Sequence, residues 1–356
     1  MKKVSNAQAE KIKFGLIGCS RISSQHFGSM IYFKDKIELV ALSDITEAKA
    51  KEFGEKYKVP NYTDYKKMLK EEEMDIVSVC TPNGLHAEMA IACAKSGKHC
   101  LLEKPIALNV SEADEIIKNF EKYDKKLFVV KQVRFNPTVM VIKKLLEEGI
   151  LGKIFSTNLT VRWTRPQSYF DEVPWRGTKK LDGGALLNQG DHYVDVLQWF
   201  LGPVKNVMAK TDMVAHQIET EDEVFAILHF VNGAYGTIEF TINTYPHNLE
   251  CSITILGSKG SIQIGGNALD QIEIWEVENY PKPAIQDNIP QKAYELGLFK
   301  GASPRHLFIY QNVIDHFHNS KEITADGREA KKSIEIIQAI YQSSREKKQV
   351  DLPLII

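Results

Sequence analysis

The sequence predicts an α/β protein built from an N-terminal domain with a parallel sheet and a C-terminal α/β domain with a largely antiparallel open sheet. Two observations carry this. Through the first third, short continuous apolar runs alternate with amphipathic stretches, as in strands covered on both faces by crossover helices. Beyond about residue 131 the runs lengthen and alternate apolar with polar, as in strands with one face in water or in an interface. A length of 356 residues fits two domains. The division falls at 131/132, giving 1–131 and 132–356.

In the first part, strands are expected at 12–18, 37–43, 75–80, 99–103 and 127–131, with helices at 21–33, 46–57, 64–72, 84–96 and 109–123. Thr46 and Asn109 stand as N-caps, and Gly97 stands where a helix must stop. In the second part a helix over 138–149 precedes a strand at 153–163, a loop rich in Arg, Trp and Pro, and a helix over 183–201. Strands follow at 204–211, 222–231, 234–243, 249–257 and 260–265, joined by turns such as Asn232-Gly233. Residues 278–302 read as an excursion, and helices at 304–319 and 328–346 close the chain.

Composition excludes several classes. The formal charge is −1 with no long single-sign block, which argues against nucleic acid and against a polybasic membrane surface. No apolar run is long enough to span a bilayer, and the N-terminal MKKVSNAQAEKIKF has no apolar stretch behind its lysines. A cytoplasmic protein is expected. Five Cys, an odd number without CxxC or Cys/His metal spacing, read as reduced and mostly buried thiols, and no metal is expected.

The first strand runs into Gly15-Leu-Ile-Gly18-Cys-Ser20-Arg21-Ile22-Ser23, a degraded dinucleotide fingerprint with Ser20 and Ser23 where Gly or Ala is usual. Gly18 allows the tight turn, and the helix start beyond offers N–H groups to a pyrophosphate. The second strand ends in Asp44, placed to accept the ribose hydroxyls of NAD and to repel the extra phosphate of NADP. The competing role for Asp44 is a helix cap, for which Thr46 is at least as good. Two further strand ends carry Thr81-Pro82-Asn83 with His86, and Glu103-Lys104-Pro105. Ligands of open α/β sheets lie over the carboxyl ends of the strands, so both clusters point at one crevice and the first part reads as a Rossmann domain.

The motifs G-x-I-G-x-x-R-I, T-P-N-x-x-H, E-K-P and G-G-A-x-x-N-x-x-x-H together resemble the Gfo/Idh/MocA oxidoreductases, from about residue 12 to 354. The resemblance implies hydride transfer at a sugar carbon with NAD(P), using Lys104 and His192. It adds Ser20, Arg21, Ile22, Gln132 and Arg176 to the cofactor-binding set. Within the family, KQVRFNP, WTRP, PWRGT, LDGGALLNQGDHYVD and LECSITILGSKGSI look like bacterial UDP-N-acetylglucosaminuronate 3-dehydrogenases. That likeness implies a UDP-N-acetyl-D-glucosaminuronic acid substrate, a 3-keto product for surface polysaccharide (lipopolysaccharide) synthesis, recycling of bound NADH by 2-oxoglutarate, and a homotetramer.

Oxidising a secondary alcohol needs a base for the hydroxyl proton, and a neutral His suits this near neutral pH. A nearby ammonium lowers the cost of the developing alkoxide. Asn188, four residues before His192, shares its helix face and can hold a sugar hydroxyl. Gly183-Gly184 is expected to leave room for a ligand. The stretch 162–180 interleaves Arg162, Arg165, Arg176, Lys179 and Lys180 with aromatics, which suits an anionic substrate. Arg162, Arg165, Arg176 and Arg305 are the available cations, with Arg165 and Arg305 assigned to substrate. The competing readings are a dehydrogenase of an uncharged sugar or polyol such as inositol, and a non-catalytic NAD-binding regulator. A regulator would need neither Lys104 nor His192.

Overall fold

The computed structural model describes residues 10–266, 268–286, 289, 290, 293 and 305–355. Most of the 278–302 excursion, with Ser303 and Pro304, therefore lies outside the described residues. The N-terminal part runs β1 (Ile12–Ile17), α1 (Ser23–Tyr32), β2 (Ile37–Ser43), α2 (Glu47–Tyr57), β3 (Asn61–Tyr62), α3 (Tyr65–Glu71), β4 (Ile76–Val79), α4 (His86–Lys95), β5 (His99–Leu102), α5 (Val110–Lys122) and β6 (Leu127–Val129). Its six strands are all parallel in the order β3-β2-β1-β4-β5-β6. The order reverses between β1 and β4, which opens the crevice where dinucleotides bind. The two-residue β3 escaped the sequence pattern because a pair of residues has no periodicity.

Local signals set the helix ends. Asn109 accepts the Glu112 N–H at 2.9 Å while the Glu112 carboxylate accepts the Leu108 N–H at 3.1 Å, satisfying two N–H groups at the start of α5. Asp64 caps α3 with a single bond, accepting the Lys66 N–H at 2.8 Å. Gly97, at φ +74°, turns the chain out of α4. Thr46 stands before α2 but makes no side-chain cap.

The second part runs α6 (Pro137–Glu147), β7 (Ile154–Arg162), α7 (Gln167–Asp171), a π turn (Leu186–Gly190), α8 (Asp191–Leu201), β8 (Val204–Asp212), β9 (Glu223–Phe230), β10 (Tyr235–Thr241), β11 (Glu250–Gly257), β12 (Gly260–Gly265), β13 (Gln271–Val277), α9 (His306–Asn319), α10 (Gly327–Glu346) and β14 (Val350–Asp351). The sheet order is β13-β12-β11-β7-β10-β9-β8-β14, antiparallel except for β7 with β10. Strands β13 and β14 and the short α7 lie beyond the sequence expectation. The helix expected over 183–201 begins only at Ala185 and is wound as a π turn over Leu186–Gly190; Gly183 and Gly184, with φ values of +88° and +134°, lie before it.

Helix α9 belongs to the second part by sequence but packs on the first. Ile309, Tyr310, Val313 and Ile314 share one core with Phe14, Leu16, Phe27, Ile76 and Phe128. The 131/132 division is thus crossed in space by α9, whose apolar face covers the parallel sheet, and by α10, which packs on α5 and β6. All five Cys are buried and free. Among the described residues, no helix is long and apolar enough to cross a membrane.

Candidate active site

At the carboxyl end of β1 the chain turns at Gly18, φ +97°. A Cβ here would stand 2.8 Å from the Cys80 carbonyl oxygen, so only glycine lets the loop lie against β4. No side chain caps the following start of α1, leaving an uncovered helix start of the kind that receives a phosphate. Ser20 donates to the Cys80 carbonyl at 3.1 Å, and Arg21 is exposed beside Ile22 on the same turn. Asp44 accepts the Cys19 N–H and the Thr46 N–H, each at 2.8 Å. The cap-like role set aside for Asp44 in favour of Thr46 is thus partly filled. Each carboxylate oxygen keeps a second lone pair, so this bonding still allows a ribose contact.

Thr81, Pro82 and Asn83 follow β4. Thr81 Oγ1 is buried with no partner among the described residues, as a group waiting for a ligand would be. Asn83 instead reaches across to Asp182, donating to its main-chain oxygen at 2.9 Å. The His86 ring lies 2.7 Å from the Pro105 oxygen and 3.0 Å from the Thr81 oxygen. Both nitrogens face main-chain carbonyls, so His86 ties the loops after β4 and β5 together and turns no ring atom to a cofactor. Glu103, also expected at the cofactor, points its carboxylate inward to His26 and His306, at 3.0 and 2.9 Å from the ring nitrogens. His26, Glu103 and His306 are the one cluster of metal-ligand type among the described residues, and their spacing is that of direct N–H to carboxylate bonds.

Lys104 projects the other way. Its Nζ lies 2.7 Å from the main-chain oxygen of Asn188 and 3.2 Å from Oδ1. The π turn at Leu186–Gly190 presents that carbonyl, a distortion common at functional sites. Asn188 Nδ2 donates to Asp182 Oδ1, and Asp182 Oδ2 accepts the Gly177 N–H at 2.7 Å. The buried Asp182, missed in the sequence, therefore joins Asn83, Asn188 and the 162–180 loop. His192 sits at the start of α8 with Gln132 Nε2 3.4 Å from its Nε2, and its Nδ1 has no partner among the described residues. Burial, then the ammoniums of Lys104 and Lys131, push His192 well below its ordinary value, so it is neutral at pH 7. Burial likewise lowers Lys104, against the pull of Glu103, Asp191 and Asp182.

A buried ionic frame fixes α8. Lys131 Nζ bonds both oxygens of Asp191 at 2.9 and 2.8 Å, and Arg134 makes a two-pronged contact with Asp195 at 2.8 Å. Part of its sequence signal was present: Asp191 and Asp195 stand four apart on one face of α8.

Gly183 and Gly184 leave no ligand space, contrary to expectation. A Cβ at Gly184 would meet the Tyr341 hydroxyl at 2.4 Å and the Glu221 carboxylate at 2.7 Å, and one at Gly183 would meet Leu187 and Leu108. The glycines admit protein atoms instead. Arg162 is also not available to a substrate: Glu239 and Glu250 take its guanidinium at 2.6 to 2.8 Å. Arg165 stacks over Trp163 at 4.9 Å and Tyr169 at 5.4 Å, and Arg176 lies 4.1 Å over the same Tyr169 ring. Arg176 also bonds the Tyr169 carbonyl and Glu172, both within its own 162–180 loop. Arg305 is buried at the start of α9 with its guanidinium 5.8 Å over Phe308.

Residues 12–131 match the NAD-binding Rossmann fold of the GFO_IDH_MocA oxidoreductases, and residues 143–352 match the C-terminal alpha/beta domain of the same family. The chain belongs to the Gfo/Idh/MocA oxidoreductase family. Within it, the chain is similar to the WlbA dehydrogenase of Bordetella pertussis, solved in complex with NADH and UDP-GlcNAcA. Identity is 38% over 97% of this chain and 100% of that one, with a TM-score of 0.88. The Chromobacterium violaceum WlbA, solved with the same two molecules, is 40% identical over 97% of both chains, with a TM-score of 0.89. The myo-inositol 2-dehydrogenase of Thermotoga maritima is 30% identical over 257 residues, 70% of this chain and 74% of that one. This Gfo/Idh/MocA member is thus an NAD-dependent oxidoreductase, a sugar or polyol dehydrogenase.

Proposed function

We propose that the chain oxidises the 3-hydroxyl of UDP-N-acetyl-D-glucosaminuronic acid to the 3-keto sugar, in the cytoplasm, for surface polysaccharide precursor synthesis. The observation that carries this reading is the pair of guanidiniums, Arg165 and Arg176, stacked on Tyr169. The Tyr169 hydroxyl lies 3.4 Å from the amide of Gln189, three residues before His192. Glu172 pairs with Arg176, and no carboxylate among the described residues pairs with Arg165, so Arg165 is the cation left near the proposed base for an anionic sugar, which an uncharged polyol does not need. The similarity to two dehydrogenases holding UDP-GlcNAcA supports it.

Bound NAD supplies the acceptor for the hydrogen and electron pair leaving the sugar carbon. His192, neutral by burial, takes the hydroxyl proton. Lys104, fixed by Asn188, lends an ammonium to the oxygen as its charge grows. Gly18, Ser20, Arg21, Ile22, Asp44, Thr81 and Gln132 are the residues that would hold the cofactor, and in this set Thr81 Oγ1 and Gln132 Oε1 are buried without a partner among the described residues.

The open face of the second sheet carries Phe155, Met208, Phe225, Ile227, Tyr235 and Leu256, all more than 40% exposed. An apolar face of this breadth suits a second copy of the chain, and we assign it to a homotetramer. Light scattering at micromolar concentration tests this, and a monomer refutes it. The substrate is tested by following NADH absorbance over nucleotide sugars, inositol and glucose, each with and without 2-oxoglutarate to recycle NADH. Turnover confined to the uronate is expected. Preference for a free polyol would replace this reading.

A further inference from the structure

Five side chains from four segments form one buried chain of hydrogen bonds beneath Lys104. Ser78 of β4 lies 3.0 Å from the hydroxyl of Tyr310 on α9, and that hydroxyl lies 3.0 Å from Nδ1 of His26 on α1. His26 Nε2 is 3.0 Å from Glu103 Oε1, and Nε2 of His306 on α9 is 2.9 Å from the same oxygen. The other oxygen, Oε2, accepts the main-chain N–H of Lys104 at 3.1 Å. All five side chains are at least nine-tenths buried.

Donor and acceptor chemistry gives the chain a direction. An ionised carboxylate only accepts, so both Nε2 atoms carry protons. His26 Nδ1 then accepts from Tyr310, whose oxygen accepts from Ser78. Every donor in the chain points towards Glu103. Burial alone would raise the Glu103 carboxyl, but the His26 and His306 N–H bonds hold it well below the usual carboxylate range. Burial keeps His26 low and neutral.

We infer that Glu103 is a positioning residue for Lys104: clamped by His26 and His306, it pins the Lys104 backbone and supplies the buried anion that keeps the side chain an ammonium. The groups that face Lys104 decide this. They are Glu103, Asp191, Asp182, Lys131 and the neutral His192. Asp191 is neutralised by Lys131 at 2.8 Å. Asp182 accepts from Asn188 and the Gly177 N–H and is itself raised by burial. Glu103 accepts from the His26 and His306 N–H groups and from one amide, and no lysine or arginine pairs with its carboxylate among the described residues, so its charge is left to act on Lys104. The inference rests on the reading of Lys104 as the ammonium of the reaction, but its test needs no sugar.

The full chain carrying 13Cε-labelled lysine, without substrate or cofactor, is titrated by NMR, with Lys104 assigned through Lys104→Arg. Glu103→Gln should lower the Lys104 midpoint by at least one pH unit, and Glu103→Asp should restore most of the shift. An unchanged midpoint in a folded Glu103→Gln overturns the proposal. Should that variant not fold, 13Cδ-labelled glutamate in the wild type decides. The Glu103 carboxyl should keep its ionised shift from pH 9 down to pH 5, and a titration step in that window overturns the proposal.

Discussion

The ammonium of Lys104 rests on the main-chain oxygen of Asn188 at 2.7 Å, a contact that joins the end of a Rossmann strand to the distorted turn ahead of α8. The contact brings the proposed base and the proposed cation from the two parts of the chain to one crevice. Lys104→Ala and His192→Ala should each lower turnover by about 100-fold or more, the scale of a positioned acid or base, with NAD affinity little changed. Steady-state kinetics and fluorescence titration with NAD check this. A saturated rate equal to wild type in either variant removes that residue from the reaction.

The rate profile against pH follows from the charge state of His192. A base works unprotonated, and burial beside two ammoniums holds this imidazole well below its ordinary value of 6.5. Activity limited by His192 should therefore be flat from pH 6.5 upwards and fall only at clearly lower pH. An acid limb centred at or above 6.5 in kcat/KM, and absent from His192→Asn, contradicts the assignment.

Asp44 should set the choice of cofactor. Its carboxylate, anchored by two N–H groups, would repel the extra phosphate of NADP. Wild type should bind NAD far more tightly than NADP, and Asp44→Asn should narrow the gap. Equal affinities in the wild type would show that Asp44 serves the loop alone.

Arg165 should matter to the anion and not to the chemistry. One charge-assisted contact contributes about 1.5–3 kcal/mol, or roughly 10- to 100-fold in KM. Arg165→Ala should raise KM for the uronate by that factor and leave KM for UDP-N-acetylglucosamine, if it reacts, nearly unchanged. Equal losses on both sugars mean that the carboxylate is not read here.

Glu221 couples stability to pH. Its Oε1 accepts the Leu186 N–H at 2.7 Å and the Tyr341 hydroxyl at 2.8 Å, and burial pushes the carboxyl from 4.5 up to about 7. The folded state holds this proton more tightly than the unfolded one. Its contribution is full below pH 4.5 and is lost as pH rises through 7. Ionisation then costs up to about 3 kcal/mol at about 1.36 kcal/mol per pH unit. Glu221→Gln keeps the acceptor and cannot ionise, so its Tm relative to wild type should be higher at pH 9 than at pH 5. A constant Tm difference across that range refutes the coupling.

Much of this protein was legible in its sequence, because periodicity and glycine placement are local properties. The alternation of apolar runs marked the parallel strands, and Asn109 with Glu112 marked a helix start. The strand ends carrying Thr81-Pro82-Asn83 and Glu103-Lys104 marked the crevice, and Gly18 marked its turn. Tertiary structure decided which polar groups are spent and which are left for a ligand. Arg162 and Arg165 are three residues apart, yet strand register sets Arg162 opposite Glu250 on β11 and beside Glu239 on β10, while Arg165 lies beyond the strand on Trp163 and Tyr169. Glu103 and Lys104 are adjacent, yet they face opposite sides of the chain and meet partners 77 and 84 residues away. A hydrogen bond between such distant residues depends on strand order and helix packing, which leave no period in the chain. The sequence by itself named the residues able to do the chemistry, and the fold assigned each its neighbour.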